Sequence, residues 1–206
     1  MTKVLGLTGS IATGKSTIAK LFKQENIPIV DADLISRQVV EPGAEAYQKI
    51  VSIFGQDILS PDQTINRKKF GQIIFDNREK REQLNAIIHP IIIAQLIKER
   101  DQLISENHRI IILDIPLLFE LKLTDLMDKV IVVYASPEKQ LKRLKRRDHL
   151  SEQDAKQRIS SQISIEDKVK EADYLIDNDG TEQETKEQFY QLLEQLKQND
   201  CQGEKS

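Results

Sequence analysis

Short apolar runs alternate along this chain with stretches whose apolar residues recur every three or four positions. The runs are 3–8 (KVLGLT), 27–30 (IPIV), 109–114 (RIIILD), 129–134 (KVIVVY) and 174–177 (YLID). They are nearly continuous rather than alternating, which predicts strands buried on both faces and hence a parallel sheet. Helical spacing predicts helices over 15–24, 33–40, 44–54, 67–75, 78–88, 90–106, from 137 onward, 151–162 and 181–197. Several starts carry a cap: Asn77, Ser136 followed by Pro137, and Thr181 with Glu184 three residues on. Pro90 is placed in the first turn of its own helix, and 55–64 reads as a loop.

Strands alternating with helices imply an α/β fold: a five-stranded parallel sheet with helices on both faces. The helical stretch between the second and third strands is too long for one crossover and reads as an inserted subdomain. The chain parses into a core (1–40, 108–136, 172–198), a helical insertion (41–107), a helical lid (137–171) and a flexible tail (199–206).

Bulk composition narrows the partners. The 206 residues are 39% hydrophobic and 31% charged, which suits one folded domain. Trp is absent and aromatics make up 5%, so Ile, Leu and Val must form the core. A net charge of −3 supplies no general field for nucleic acid, so any anion must be caught locally. The single cysteine, Cys201, rules out an internal disulfide and fits a reducing compartment. No membrane span or signal-peptide pattern is read, so the expected location is the cytoplasm. The sequence leaves the oligomeric state open, with a monomer favoured.

The strongest local pattern is Gly9-Ser10-Ile11-Ala12-Thr13-Gly14-Lys15-Ser16, a G-x-x-x-x-G-K-[ST] loop between the first strand and the first helix. Its amides and the helix N-terminus are suited to phosphate oxygens. Lys15 adds positive charge, and the Ser16 hydroxyl can ligate Mg²⁺. This places a P-loop NTPase fold and ATP at Gly9, Ala12, Thr13, Gly14, Lys15, Ser16 and Thr17. A guanine-reading Asn-Lys-x-Asp is missing, and a small chain with a helical insertion and a basic segment points to a small-molecule kinase.

Asp31-Ala32-Asp33 closes the second strand, where ligands gather in open parallel sheets. Asp33 can take a proton from an attacking hydroxyl or organise Mg²⁺; capping of the next helix would account for the same acids. Residues 139–147 (KQLKRLKRR) hold six basic residues in nine, either a solvated helix face or a lid that brings an arginine to the transferring group. Arg143 is the first choice for that arginine, and Arg147, one turn on, a second phosphate contact. His89-Pro90 is either a structural junction or part of a site. Asp114 closes the third strand and can face Mg²⁺ or the acceptor, and Asn178 either approaches the adenine or forms a plain turn.

Taken together, LTGSIATGKST (7–17), DADLISRQVVEPG (31–43), LNAIIHPII (84–92), LDIPLLFE (113–120), LKRLKRRD (141–148) and YLIDNDGT (174–181) resemble the dephospho-coenzyme A kinases over nearly the whole chain. The loop alone is unspecific, but its combination with the DAD, HP and DIPLLFE segments is not. The resemblance implies transfer of the ATP γ-phosphate to the ribose 3′-hydroxyl of dephospho-coenzyme A. It implies Asp33, Lys15 and Arg143 as catalytic groups and Mg²⁺ at Ser16 and Asp33. It also implies acceptor contacts from Asp31, Arg37, His89, Pro90, Asp114, Pro116 and Leu117. The loop departs mildly from the family in having Ala12 and Thr13 where glycine and serine are commoner. A kinase for another small metabolite, such as a nucleoside monophosphate, and a non-catalytic nucleotide switch are the rival readings.

Overall fold

The apolar runs become strands and the periodic stretches helices in a computed structural model that describes residues 2–75 and 77–198. In chain order these are β1 (Lys3–Thr8), α1 (Lys15–Gln24), β2 (Ile29–Asp31), α2 (Ala32–Gln38), α3 (Glu45–Phe54), α4 (Arg67–Phe75) and α5 (Arg78–Ser105). They continue with β3 (Ile110–Asp114), β4 (Lys129–Tyr134), α6 (Pro137–Asp148), α7 (Glu152–Ser160), α8 (Ile165–Lys170), β5 (Tyr174–Asp177) and α9 (Glu182–Gln198). Asn77 Oδ1 accepts the Lys80 N–H at 2.9 Å, and Ser136 caps α6 with Pro137 just inside it. Thr181 and Glu184 form the expected box, at 3.2 Å and 2.7 Å. Cys201 and the tail lie outside the described residues.

Two compact units emerge: residues up to Val30 with those from Gln102 onward, and Asp31–Asp101. In the first, the sheet order is β2-β3-β1-β4-β5, with every strand parallel. The central strand β1 pairs β3 from Lys3↔Ile110 to Leu7↔Asp114 and β4 from Leu5↔Lys129 to Thr8↔Val132. Period-two geometry sends Leu5, Leu7, Ile110, Ile112, Ile131 and Val133 to one face. There they pack with Ile18 and Phe22 of α1 and Phe189, Leu193 and Leu196 of α9. Phe22 meets Phe189 edge to face at 4.8 Å. Because β1 is central, the loop that follows it is held by neighbours on both sides.

The second unit is helical. Ala46, Ile50, Ile58 and Phe70 form its centre, surrounded by Val39, Ile65, Leu84, Ile87, Ile88 and Ile91. Here one expectation is corrected: Pro90 does not open a new helix, and α5 runs through it from Arg78 to Ser105. A proline inside a helix loses one N–H and crowds the carbonyl four residues back. That local cost is overridden because Leu84, Ile87 and Ile88 before it and Ile91 after it pack on the same cluster. Helix α8 has no counterpart among the expected helices. Among the described residues, no helix is long and apolar enough to cross a membrane.

Candidate active site

The loop between β1 and α1 is built by local turns. Ser10 O accepts both the N–H and the Oγ1 hydroxyl of Thr13, at 3.2 Å and 2.9 Å. Ala12, third in that turn, has a φ of 62°, the left-handed region that glycine favours and alanine enters at a cost. That is the physical reason a glycine would be commoner there. Gly14 precedes α1 with a φ of 96°, and the amide of Asn178 occupies the space where a Cβ would project. A Cβ on Gly9 would lie 2.6 Å from Thr13 Oγ1 and 2.8 Å from the Val133 carbonyl, so close packing already demands glycine. Among the described residues no side chain caps α1, whose first amides face a site open to an anion. Ser16 and Thr17 are exposed there.

Lys15 is ion-paired with Asp114, which ends β3 directly opposite Leu7 in register. Both side chains are largely buried, at 16% and 8% exposure, so the pair is shielded from water. Parallel register thus brings Asp114 beside the loop, held on Lys15. Pro116, two residues on, is held by its carbonyl, which accepts Thr8 Oγ1 at 3.2 Å and Lys168 Nζ at 3.3 Å. Leu117 is exposed at 37%.

Arg143 and Asn178 meet at the other side of the loop. Arg143 donates to the carbonyls of Asn178 (2.8 Å) and Thr13 (3.4 Å). The Asn178 amide donates to Thr13 O at 2.7 Å and accepts from Thr185 Oγ1 at 3.0 Å. The turn is fixed further where Asp179 accepts the Ser136 N–H at 2.8 Å. That N–H holds the Asp179 carboxyl below its usual range. Arg143 is thus a clamp joining α6, the loop and the end of β5. Arg147 is more exposed, at 58%, and its guanidinium forks onto Asp148 at 2.7 Å and 3.1 Å. Arg158 reaches the same carboxylate at 3.1 Å. The fork raises the pKa of Arg147 and lowers that of Asp148.

The remaining expected residues lie in the helical unit. Asp31 caps α2, its Oδ1 accepting the N–H groups of Asp33 (2.9 Å) and Leu34 (3.1 Å); the capping role is real for this acid. Asp33 and Arg37 are one turn apart on α2, both exposed, and neither side chain has a partner among the described residues. His89 is half-buried in α5, and Pro90 lines a cleft of about 530 Å³ with Glu45, Lys49, Ile87, Ile91 and Ala94.

Three residues that hold the site together escape sequence reasoning. Lys168 is fully buried and paired with Glu120 at 2.8 Å, while Gln162 accepts the Ile11 N–H at 2.8 Å. Glu120 ends the LDIPLLFE segment, but nothing local in SQISIEDKVK marks Lys168 or Gln162.

A family model described as "Dephospho-CoA kinase" matches residues 3–184. A dephospho-CoA kinase of Bacillus cereus is 49% identical over 193 residues, 94% of this chain and 96% of that protein. One from Listeria monocytogenes is 46% identical over 199 residues, 97% of this chain and all of its own. Among solved structures, dephospho-CoA kinase from Campylobacter jejuni superimposes with a TM-score of 0.76 at 33% identity, covering 97% of this chain and 100% of that one. Shikimate kinase from Acinetobacter baumannii, at 17% identity and a TM-score of 0.53, covers 97% of this chain and 95% of its own and shares the fold.

Proposed function

The chain belongs to the dephospho-CoA kinase family, and from that premise we propose that it moves the γ-phosphate of ATP to the ribose 3′-hydroxyl of dephospho-coenzyme A. The products are coenzyme A and ADP, in the last step of coenzyme A biosynthesis. The observation that carries this reading is the family match over residues 3–184, which takes in the phosphate loop, the helical unit and the basic helix α6.

The loop amides and the N-terminus of α1 receive the outer phosphates, and Lys15 turns from Asp114 to join them. Among the described residues no cluster of three or more His, Cys, Asp or Glu could hold a metal by itself. One carboxylate and one hydroxyl nonetheless suit Mg²⁺, which keeps its waters and takes phosphate oxygens as further ligands. Ser16 and Asp33 would hold it, with Asp114 beside Lys15 as a further carboxylate. When bound, that ion would neutralise charge on the phosphates. Asp33 orients the 3′-hydroxyl and takes its proton. Arg143, exchanging its loop carbonyls, and Arg147, exchanging Asp148, meet the developing charge. Arg37, His89, Pro90, Pro116 and Leu117 are assigned to the acceptor. The protein acts as a cytoplasmic monomer.

The test is product analysis with ATP, Mg²⁺ and a panel of acceptors. ADP formation that requires dephospho-coenzyme A, with new phosphate on its 3′-oxygen, is the expected result. Preferred phosphorylation of a nucleoside monophosphate, or slow hydrolysis indifferent to acceptor, would overturn it.

A further inference from the structure

The turn Ser10–Thr13 carries a conformational liability. A left-handed φ in its third residue and a negative one at Ile11 make it type II-like, the form that wants glycine at Ala12.

The turn is held in place from the far side of the basic segment. The connection between α7 and α8 lies on the turn at two points. Gln162 Oε1 accepts the N–H of Ile11 at 2.8 Å, and the Ile163 carbonyl accepts Ser10 Oγ at 3.3 Å. The connection is itself anchored. The Ile163 N–H donates to Glu120 Oε1 at 3.1 Å, and the same oxygen takes Lys168 Nζ at 2.8 Å. Lys168 is fully buried and reaches the Pro116 carbonyl as well, so a charge shielded from water fixes the connection to the segment after β3. Two residues of the turn are thereby pinned immediately before the strained one.

We infer that Gln162 is a positioning residue for ATP: through the Ile11 N–H it fixes the Ser10–Ile11 peptide, and so the placement of the loop whose amides meet phosphate, with the Glu120–Lys168 pair holding Gln162 in place. It rests on the loop being the nucleotide site, but not on which acceptor is phosphorylated. A ligand measurement that involves no acceptor therefore separates the two.

Gln162→Met keeps length and removes the acceptor atom. Titration of Mg·ADP into this variant is expected to show affinity weakened about 5- to 20-fold, the loss of roughly one well-made hydrogen bond. KM for ATP should rise in step, KM for dephospho-coenzyme A should stay put, and the melting temperature should move by no more than about 4 °C. Unchanged ADP affinity in Gln162→Met overturns the inference. So does a matched rise in KM for both substrates.

Discussion

The phosphate loop and helix α2 both present charges expected to meet substrate, yet they hold them in opposite ways. Around the loop, Lys15 is paired with Asp114 and Arg143 is bound to two carbonyls, while at the end of α6 Arg147 is forked onto Asp148. On α2, Asp33 and Arg37 stand exposed and without partners among the described residues. The contrast follows from what each region must bind. A polyphosphate brings high, fixed charge, and a fold can prepare for it by assembling cations in advance and parking them on stand-in anions and carbonyls. Binding then exchanges one partner for another and avoids baring a charge in a shielded place. A sugar hydroxyl brings no charge to prepare for, and the acid that takes its proton works best uncommitted.

Of the changes that would upset this contrast, the most damaging lies on α2. Asp33→Asn is expected to lower kcat by ~10²–10⁴, since the proton acceptor is lost. Unchanged turnover in a steady-state assay would remove Asp33 from the chemistry. Next is the buried support of the loop. Lys168→Ala leaves Glu120 charged without its partner in a shielded site, and the expected loss of stability is about 3–5 kcal/mol, read from urea unfolding. A loss under about 1 kcal/mol would mean that water reaches the pair freely.

Smaller is Arg37→Ala, which is expected to raise KM for dephospho-coenzyme A by about tenfold while leaving KM for ATP alone, as for one charged hydrogen bond. A rise in KM for ATP instead would place Arg37 on the donor side. Least is the titration of Asp148. Arg147 depresses its pKa below the ordinary 3.8, so their contact is complete above that value and is lost as pH falls through the lower folded pKa. A carboxyl NMR titration with its midpoint at or above 3.8 would show that the fork does not form in solution.

The strands and most helix starts were legible because their signals are local: continuous apolar runs, Asn77, Ser136-Pro137 and the Thr181–Glu184 box. The loop was legible for the same reason. What escaped depends on partners distant in the chain. Pro90 reads as a boundary until one apolar cluster is seen on both sides of it. The Lys15–Asp114 pair joins residues 99 apart and is set only by the parallel register of β3 beside β1. The Gln162–Ile11 contact joins residues 151 apart, and no spacing rule reaches that far. Helix α8 did carry a signal: Ser164 accepts the Asp167 N–H at 3.1 Å, a local cap that its short apolar pattern obscured.

If the donor side is assembled independently of the acid on α2, nucleotide binding should ignore one of these regions and depend on the other. Calorimetric titration of Mg·ADP into Asp33→Asn and Lys15→Ala separates them. Asp33→Asn should bind within about twofold of the unaltered protein, while Lys15→Ala should lose at least about tenfold, the value of one charge-assisted contact. Equal losses in the two variants, or none in either, would contradict that independence.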